Sequence, residues 1–244
     1  MGGRDGTGGR PAGPVRPDPG SLAPPWAPAG AAVAVLITGI LGGLVWHSTR
    51  LPGPDAWGLH LLGAHTERQF RLATELAAGL RALTVGGIVA TALIAWMALR
   101  RYNAVALAVL APAATLAVEK LLKPLVARQA EASPVFQYPS GHVAVATALA
   151  FSLALIVRSS RARAGVRTVA VLCSGLVVLL MAGARIVETA HVLSDVVGGA
   201  AAGVALTLVA ALIFDQRRIS HPQDPADRPG PLPFQRRRYR QTYW

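Results

Sequence analysis

Two short polar stretches stand at the ends of apolar runs and carry residues that could bind an anion and transfer a proton. The first, Tyr138-Pro139-Ser140-Gly141-His142, directly precedes the apolar run 143–157. Proline restricts the backbone, serine is a preferred N-cap and glycine admits a close approach, so this stretch predicts a helix start with outward-facing free N–H groups. An anion held there would lie beside His142, which could donate a proton to it.

The second stretch brackets the turn between two later apolar runs. Arg185 and His191 stand on either side of this turn, and Asp195 follows His191 by four residues. Residues four apart share a helix face, so the carboxylate can accept a hydrogen bond from one imidazole nitrogen and leave the other free as a nucleophile. Taken alone, these groups and Glu188 could equally form a structural ion network.

The apolar runs around these stretches indicate the class of protein. Of the 244 residues, 52% are hydrophobic, and several uncharged runs are long enough to cross a membrane. We predict an all-α polytopic membrane bundle with six transmembrane helices. The predicted spans are 29–46, 82–99, 102–118, 143–157, 168–184 and a last span from the turn at 185–191 to residue 214.

The segments outside the spans differ in composition from the bundle. Three parts are expected in the chain: a disordered Gly/Pro/Arg-rich tail at 1–28, the six-span domain at 29–214 with its motif-bearing core at about 80–214, and a basic, disordered tail at 215–244. Segment 50–81 repeats leucine at helical spacing beside charged residues, which predicts either a short helix on the membrane surface or a soluble-looking loop.

The distribution of positive charge predicts how the bundle sits in the membrane. Six spans place both tails, the Arg100-Arg101 turn and the loop 158–167 on one side, and these segments hold 16 of the 24 Lys and Arg. Cytoplasmic loops are enriched in these residues, so we expect the termini in the cytoplasm and the helix start at Ser140 facing outward from the plasma membrane.

Charge and cysteine content also bear on partners. Basic tails beside membrane spans indicate anionic lipid headgroups as partners rather than nucleic acid, because the arginines do not decorate a soluble, aromatic-rich surface. The single cysteine, Cys173, lies inside a span, so we expect neither a disulfide framework nor a cysteine metal site. The oligomeric state is left open.

Both motif stretches resemble the type 2 phosphatidic acid phosphatase superfamily, the lipid phosphate phosphatases that share a core with vanadium haloperoxidases. The family's second motif, Pro-Ser-Gly-His, is complete at 139–142. Its third motif is Ser-Arg, a histidine after five intervening residues and an aspartate after three more. Arg185, His191 and Asp195 have this spacing, with Ala184 in place of the serine.

The family's first motif, a lysine followed seven residues later by Arg-Pro, is altered in this chain. Lys123 and Arg128 are separated by only four residues, and Ala130 stands where the family's arginine would fall. The resemblance covers roughly residues 80–214. Together with the arginine- and alanine-rich composition, it suggests a membrane-bound member from a bacterium with a GC-rich genome.

The resemblance implies a role for each motif residue. His191, oriented by Asp195, would attack phosphorus and form a phosphohistidine, while His142 would protonate the leaving group and then activate water. The phosphate would be held by five groups: Lys123, Arg128, Ser140, the Gly141 amide and Arg185. The family resemblance implies no metal ion or other cofactor, because basic side chains take its electrostatic role.

The implied substrate is an amphiphile that presents a phosphate or diphosphate at the membrane surface. Candidates are a polyprenyl diphosphate such as undecaprenyl diphosphate, phosphatidate and phosphatidylglycerophosphate, and an outward-facing site favours the first. The altered first motif leaves an alternative, a catalytically impaired family member that acts as a lipid-binding or transport component.

Overall fold

The computed structural model describes residues 21–129 and 137–220, and within these ranges the chain forms α-helices and no strand. The helices are α1 (Ala27–Leu44), α2 (Gly53–Leu62), α3 (Glu67–Leu99), α4 (Tyr102–Val126), α5 (Gly141–Ser159), α6 (Ala164–Val187) and α7 (Leu193–Ser220). Among these described helices, all but the short α2 are long and apolar enough to cross a membrane. The predicted all-α bundle of six spans is therefore confirmed.

The mixed segment 50–81 is where the structure departs most from expectation. It contains α2 and the first half of α3, a single helix of 33 residues. The helix begins at a capping box in which the Thr66 hydroxyl accepts a hydrogen bond from Gln69 N (3.2 Å), and the Gln69 side chain accepts one from Thr66 N (3.0 Å). The leucine repeat at 72–80 therefore belongs to the second span's own helix.

The length of α3 has a geometric consequence. At 1.5 Å per residue the helix is about 50 Å long, whereas a bilayer's hydrocarbon core is about 30 Å thick. The charged first turns of α3 therefore have room to extend beyond the apolar layer. For residues 67–81 the prediction of a separate surface helix or loop was wrong, because no residue between Glu67 and Leu99 stops the helix. Helix α2 is a separate short helix within the same segment.

Helices α5 and α7 form the centre of the bundle. Helix α7 packs against α1, α4 and α5, and α5 also packs against α3, α4 and α6. Two glycines let α5 and α7 approach closely: a Cβ at Gly199 would collide with the Ser140 carbonyl, and one at Gly203 with the Ala144 carbonyl. Small residues at helix contacts are typical of membrane bundles. This contact brings the start of α5 against the first turns of α7.

Replacing Gly203 by alanine is expected to destabilise the bundle by about 1–3 kcal/mol, because overpacked backbone atoms cannot move aside. A Cβ there would meet backbone atoms of both Ala144 and Ala148. Thermal unfolding in detergent micelles should show a lower Tm. Gly175→Ala in α6 is the matched control, since nothing lies within 4 Å of a Cβ built at that position. Equal Tm values for the two variants would contradict this close packing.

Backbone hydrogen bonds join the connecting segments at one end of the bundle. This end, which we call the site end, comprises the C-termini of α4 and α6 and the N-termini of α5 and α7. Ser140 N donates to Asp195 O (3.0 Å), and Ala64 N donates to Val187 O (2.9 Å). Both motif stretches of the sequence therefore lie at the site end.

Asp215 fastens the opposite end of the bundle. Its carboxylate accepts hydrogen bonds from Ser21 Oγ (2.7 Å), Leu22 N (3.1 Å) and Ala23 N (2.8 Å). The Leu22 side chain is buried in the core beside α7. Residues 21–26 of the predicted N-terminal tail thus pack against the bundle before α1. Residues 215–220 of the predicted C-terminal tail continue α7. Residues 1–20 and 221–244 of those tails lie outside the described residues.

Candidate active site

Tyr138 anchors the loop that leads into α5. Its side chain is fully buried, its hydroxyl donates a hydrogen bond to Thr38 O (2.5 Å) in α1, and its ring lies against Gly42 and Gly198. Burial, reinforced by the negative charge of Asp195, raises the pKa of Tyr138 well above its usual range. The phenol therefore stays neutral and acts as a hydrogen-bond donor that ties the loop to α1.

Ser140 stands at the N-cap of α5, as the sequence predicted, but its side chain does not cap the helix. Its Oγ is buried without a hydrogen-bond partner in the part of the chain that the structure describes. Arg185 Nε and Thr147 Oγ1 are likewise buried without a hydrogen-bond partner among the described residues. Buried polar groups in proteins are nearly always hydrogen-bonded. Ser140 Oγ and Arg185 Nε, both at the site end, therefore have hydrogen bonds left to donate to an external acceptor.

His191 and Asp195 come together at the start of α7. Asp195 is fully buried, and its Oδ2 lies 3.4 Å from His191 Nδ1 and accepts a hydrogen bond from Val192 N (3.3 Å). With Nδ1 facing the carboxylate, Nε2 is the ring nitrogen left for chemistry. The structure thus brings these two residues together, although His191 lies before the first residue of α7 and the two do not share a helix face as the spacing predicted.

A small apolar cluster brings four helices to the same level at the site end. Leu80, Val143, Ile186 and Val196 belong to this cluster, one each from α3, α5, α6 and α7. Each has a polar neighbour in sequence, and these neighbours are Arg81, His142, Arg185 and Asp195. The core packing of apolar residues therefore gathers the groups that could do chemistry.

Positive charge is concentrated around His142. Four groups lie within electrostatic range of it: Arg185, Arg81, His191 and Lys123. Arg185 pairs with Glu188, and Lys123 Nζ lies 2.6 Å from Glu119 Oε1. Arg81, on α3, was not foreseen as a site residue, because the alternatives considered for segment 50–81 did not continue the helix into the bundle.

The start of α5 offers further donors. The first N–H groups of any helix lack intrahelical partners. Gly141 is the first residue of α5, so its amide is one of these groups. Gly141 also has to be small, since a Cβ would lie 2.7 Å from the carboxylate of Glu119. Glu119 itself is buried, and Lys123, one helical turn later, balances its charge.

Arg128 has a different environment from the one expected for a phosphate ligand. Its side chain is only 2% exposed, and its Nη1 donates to Ser194 Oγ (2.6 Å) and Asp195 Oδ1 (2.7 Å). Its Nη2 donates to Asp55 Oδ2 (2.9 Å). A guanidinium enclosed by two carboxylates is poorly available to a phosphate. Ala130 lies outside the described residues.

Within the described ranges 21–129 and 137–220, no group of three or more His, Cys, Asp or Glu side chains has the arrangement of a metal site. The groups that could bind a ligand are instead donors of hydrogen bonds and positive charge. Donors converging beside two histidines suit a phosphate ester, whose negative charge must be neutralised before a nucleophile can approach.

Comparisons with known proteins identify the family and the fold of the chain. A model of the PAP2 superfamily matches residues 28–219 of the chain. A similar solved structure is that of a transmembrane PAP2-type phosphatidylglycerolphosphate phosphatase from Bacillus subtilis. Its TM-score is 0.63 at 16% sequence identity, covering 77% of this chain and 96% of that chain. At this identity the likeness shows a shared fold.

No curated protein sequence matches the chain. The family match nevertheless spans all six membrane-crossing helices and both motif stretches. The chain therefore belongs to the PAP2 superfamily, as its motifs predicted, and is by that membership a multi-pass membrane protein and a phosphoric ester hydrolase.

Proposed function

We propose that this protein hydrolyses a lipid phosphate or diphosphate through a phosphohistidine intermediate. The observation that carries the proposal is that the His191–Asp195 pair lies at the site end with two buried donors, Ser140 Oγ and Arg185 Nε, which have no partner among the described residues. A phosphate oxygen bound by these donors would complete their hydrogen bonding and hold phosphorus near the nucleophile.

The first chemical step transfers the phosphoryl group to the protein. His191 Nε2 attacks phosphorus in line, an N–P bond forms, and the bond from phosphorus to the leaving oxygen breaks. His142 donates its proton to that oxygen. In the second step His142 takes a proton from water, the water oxygen attacks phosphorus, and the N–P bond breaks to release phosphate.

The charge of the phosphate is neutralised by groups from several helices. Lys123, Arg185, the Ser140 hydroxyl and the Gly141 amide are the proposed ligands that the sequence also named. We add Arg81, which lies within electrostatic range of both His142 and Arg185. An arginine on α3 supplies the positive charge that the altered first motif lacks.

Arg81→Gln is expected to lower kcat/KM by about tenfold or more, because a charge-assisted hydrogen bond contributes about 1.5–3 kcal/mol. The loss should appear mainly as a higher KM and weaker inhibition by inorganic phosphate. Arg71→Gln, ten residues earlier on the same helix, is the matched control. Equal kcat/KM values for the two variants would exclude Arg81 from the phosphate site.

We also propose that the site end faces outward. The described basic segments at the opposite end, the Arg100-Arg101 turn and the loop 158–167, support this orientation through the bias of basic residues toward the cytoplasm. Reporter fusions at Gly63 and Arg163 test it, with the fusion at Gly63 expected outside the cell. A reporter at Gly63 that is active only in the cytoplasm would reverse the orientation.

The lipid itself is the least constrained part of the proposal. An outward site favours a polyprenyl diphosphate, and the name of the similar Bacillus subtilis structure favours phosphatidylglycerolphosphate as the substrate to test beside it. Phosphatidate completes the set. All three present phosphate at the membrane surface while their chains remain in the bilayer.

Phosphate release by the purified protein in detergent with excess chelator tests the proposal, using all three lipids. Release that survives the chelator and is lost in His191→Ala supports a histidine phosphatase and ranks the substrates. The alternative is a catalytically impaired member that binds or transports lipid, which the altered first motif favours. Absence of release by folded protein, together with retained lipid binding, would establish that alternative.

A further inference from the structure

We propose that Asp55, on the short helix α2, is a positioning residue for His191. It acts through Arg128 and Ser194 on Asp195, and so holds the carboxylate that orients the nucleophile. This inference rests on the proposed phosphohistidine function. Asp55 lies outside the family's motifs and outside the six spans, and nothing in the sequence pattern connects it to the site.

The hydrogen bonds of Asp55 form a closed arrangement around Arg128. Asp55 Oδ2 accepts from Arg128 Nη2 (2.9 Å) and from Ser194 Oγ (2.6 Å). Asp55 Oδ1 accepts from Ser194 N (2.8 Å). Arg128 Nη1 in turn donates to Ser194 Oγ and to Asp195 Oδ1. Both oxygens of Asp55, the Ser194 hydroxyl and both Nη atoms of Arg128 therefore have partners within this cluster, and these contacts fix the position of the guanidinium.

The cluster is buried, which makes its charge balance matter. Asp55 and Arg128 are each 2% exposed, and Asp195 is 0% exposed. Two carboxylates share one guanidinium, so the cluster carries one net negative charge beside His191. That charge favours the positive phosphoimidazole that the proposed mechanism forms. Buried charges interact more strongly than exposed ones because water screens them less.

Asp55 also determines which partner each carboxylate oxygen of Asp195 binds. With Arg128 drawn toward Asp55 by Nη2, it reaches Asp195 only through Nη1 and at Oδ1. Oδ2 remains for His191 and for Val192 N. Without the charge of Asp55, both arms of the guanidinium can turn to Asp195, since a bidentate pair is the preferred arginine–carboxylate geometry. The carboxylate would then move away from the imidazole.

A merely structural role for Asp55 is the competing explanation, because it also bonds the first turn of α7. Asp215 is a matched control for that explanation. It fastens residues 21–23 to the other end of the same helix, with three hydrogen bonds of comparable length. If Asp55 only stabilised α7, Asp55→Asn and Asp215→Asn would have the same consequences.

The activity experiment compares Asp55→Asn, Ser194→Ala and Asp215→Asn in detergent with the best substrate of the panel. Asp55→Asn should lower kcat by about 10- to 100-fold, the usual effect of misplacing a reacting group, with KM and inhibition by inorganic phosphate little changed. Ser194→Ala should also lower kcat, by a smaller factor. It provides the test of the proposal if Asp55→Asn does not fold. Asp215→Asn should lower Tm without changing kcat.

A second readout does not depend on activity. The chain has six histidines, and ¹⁵N NMR of the histidine-labelled protein reports the protonation of His191, identified by its absence in His191→Ala. Asp55→Asn or Ser194→Ala should shift that resonance and its titration, whereas Asp215→Asn should leave both unchanged. This arm tests Asp55 even if wild-type protein releases no phosphate, which would contradict the proposed function alone.

Two results would overturn the proposal for Asp55. One is an unchanged His191 resonance in both Asp55→Asn and Ser194→Ala. The other is a rise in KM at constant kcat, which would make Asp55 part of substrate binding.

Discussion

Replacing His191 by alanine is expected to lower phosphate release by roughly 10⁴-fold or more, because loss of a covalent nucleophile removes the whole reaction path. Water would have to attack the phosphate ester directly, in a site whose groups are arranged for attack by His191. No labelled protein should form when the variant is mixed with substrate that carries ³²P in its reacting phosphate. Wild-type protein should give label that is lost in acid and kept in base, as expected for an N–P bond.

His47→Ala is the control for that experiment. His47 is also near the site end, where its backbone N–H donates to Val126 O (2.9 Å) and its ring contacts Trp46. Its side chain takes no part in the proposed reaction, so activity should remain at the wild-type level. Release and labelling that persist in His191→Ala would contradict the phosphohistidine mechanism while leaving the family membership intact.

His142→Ala is expected to show a loss of about 10²–10⁴-fold with lipid substrates, the usual contribution of a general acid or base. A lipid alkoxide is a poor leaving group and needs a proton as the P–O bond breaks. An aryl phosphate leaves as a stabilised phenolate, so its first step should be much less affected. Its second step still needs a base to activate water, and labelled protein should therefore accumulate.

Rapid-quench labelling with an aryl phosphate and with a lipid phosphate separates these two steps. His60→Ala is the matched control, since His60 contacts only His65 among the described aromatic rings and lies on α2. An equal loss with both substrates, without accumulation of labelled protein, would show that His142 binds phosphate and does not transfer protons.

The spans and the two motif stretches could be predicted because their signals are local. A run of apolar side chains determines whether a helix can cross a bilayer, whatever its neighbours are. Likewise, His191 and Asp195 meet because they are only four residues apart, with His191 just before the first residue of α7 and Asp195 in its first turn. The boundary between segment 50–81 and the second span was missed for the converse reason. A helix continues until a residue stops it, and the change from polar to apolar side chains near Arg81 does not stop α3.

Arg128 illustrates what local spacing cannot decide. By family analogy it was expected among the phosphate ligands, yet it is enclosed by Asp55 and Asp195, which are 73 and 67 residues away in the chain. A buried guanidinium goes wherever carboxylates are brought to it, and only the packing of α2 against α7 brings Asp55 there. The same limit applies to Arg81, which reaches the site because Leu80 packs beside Val143 and Ile186.

The sequence by itself therefore determined the class of protein, the number of spans and the residues of the two motifs, since hydropathy and short-range spacing need no knowledge of neighbours. Tertiary structure alone decided which cations face His142, which arginine supports Asp195, and that a helix outside the spans contacts the site. Those choices depend on contacts between residues far apart in the chain. Their energies are set by burial and charge pairing, which exist only once α2, α3, α5 and α7 have packed.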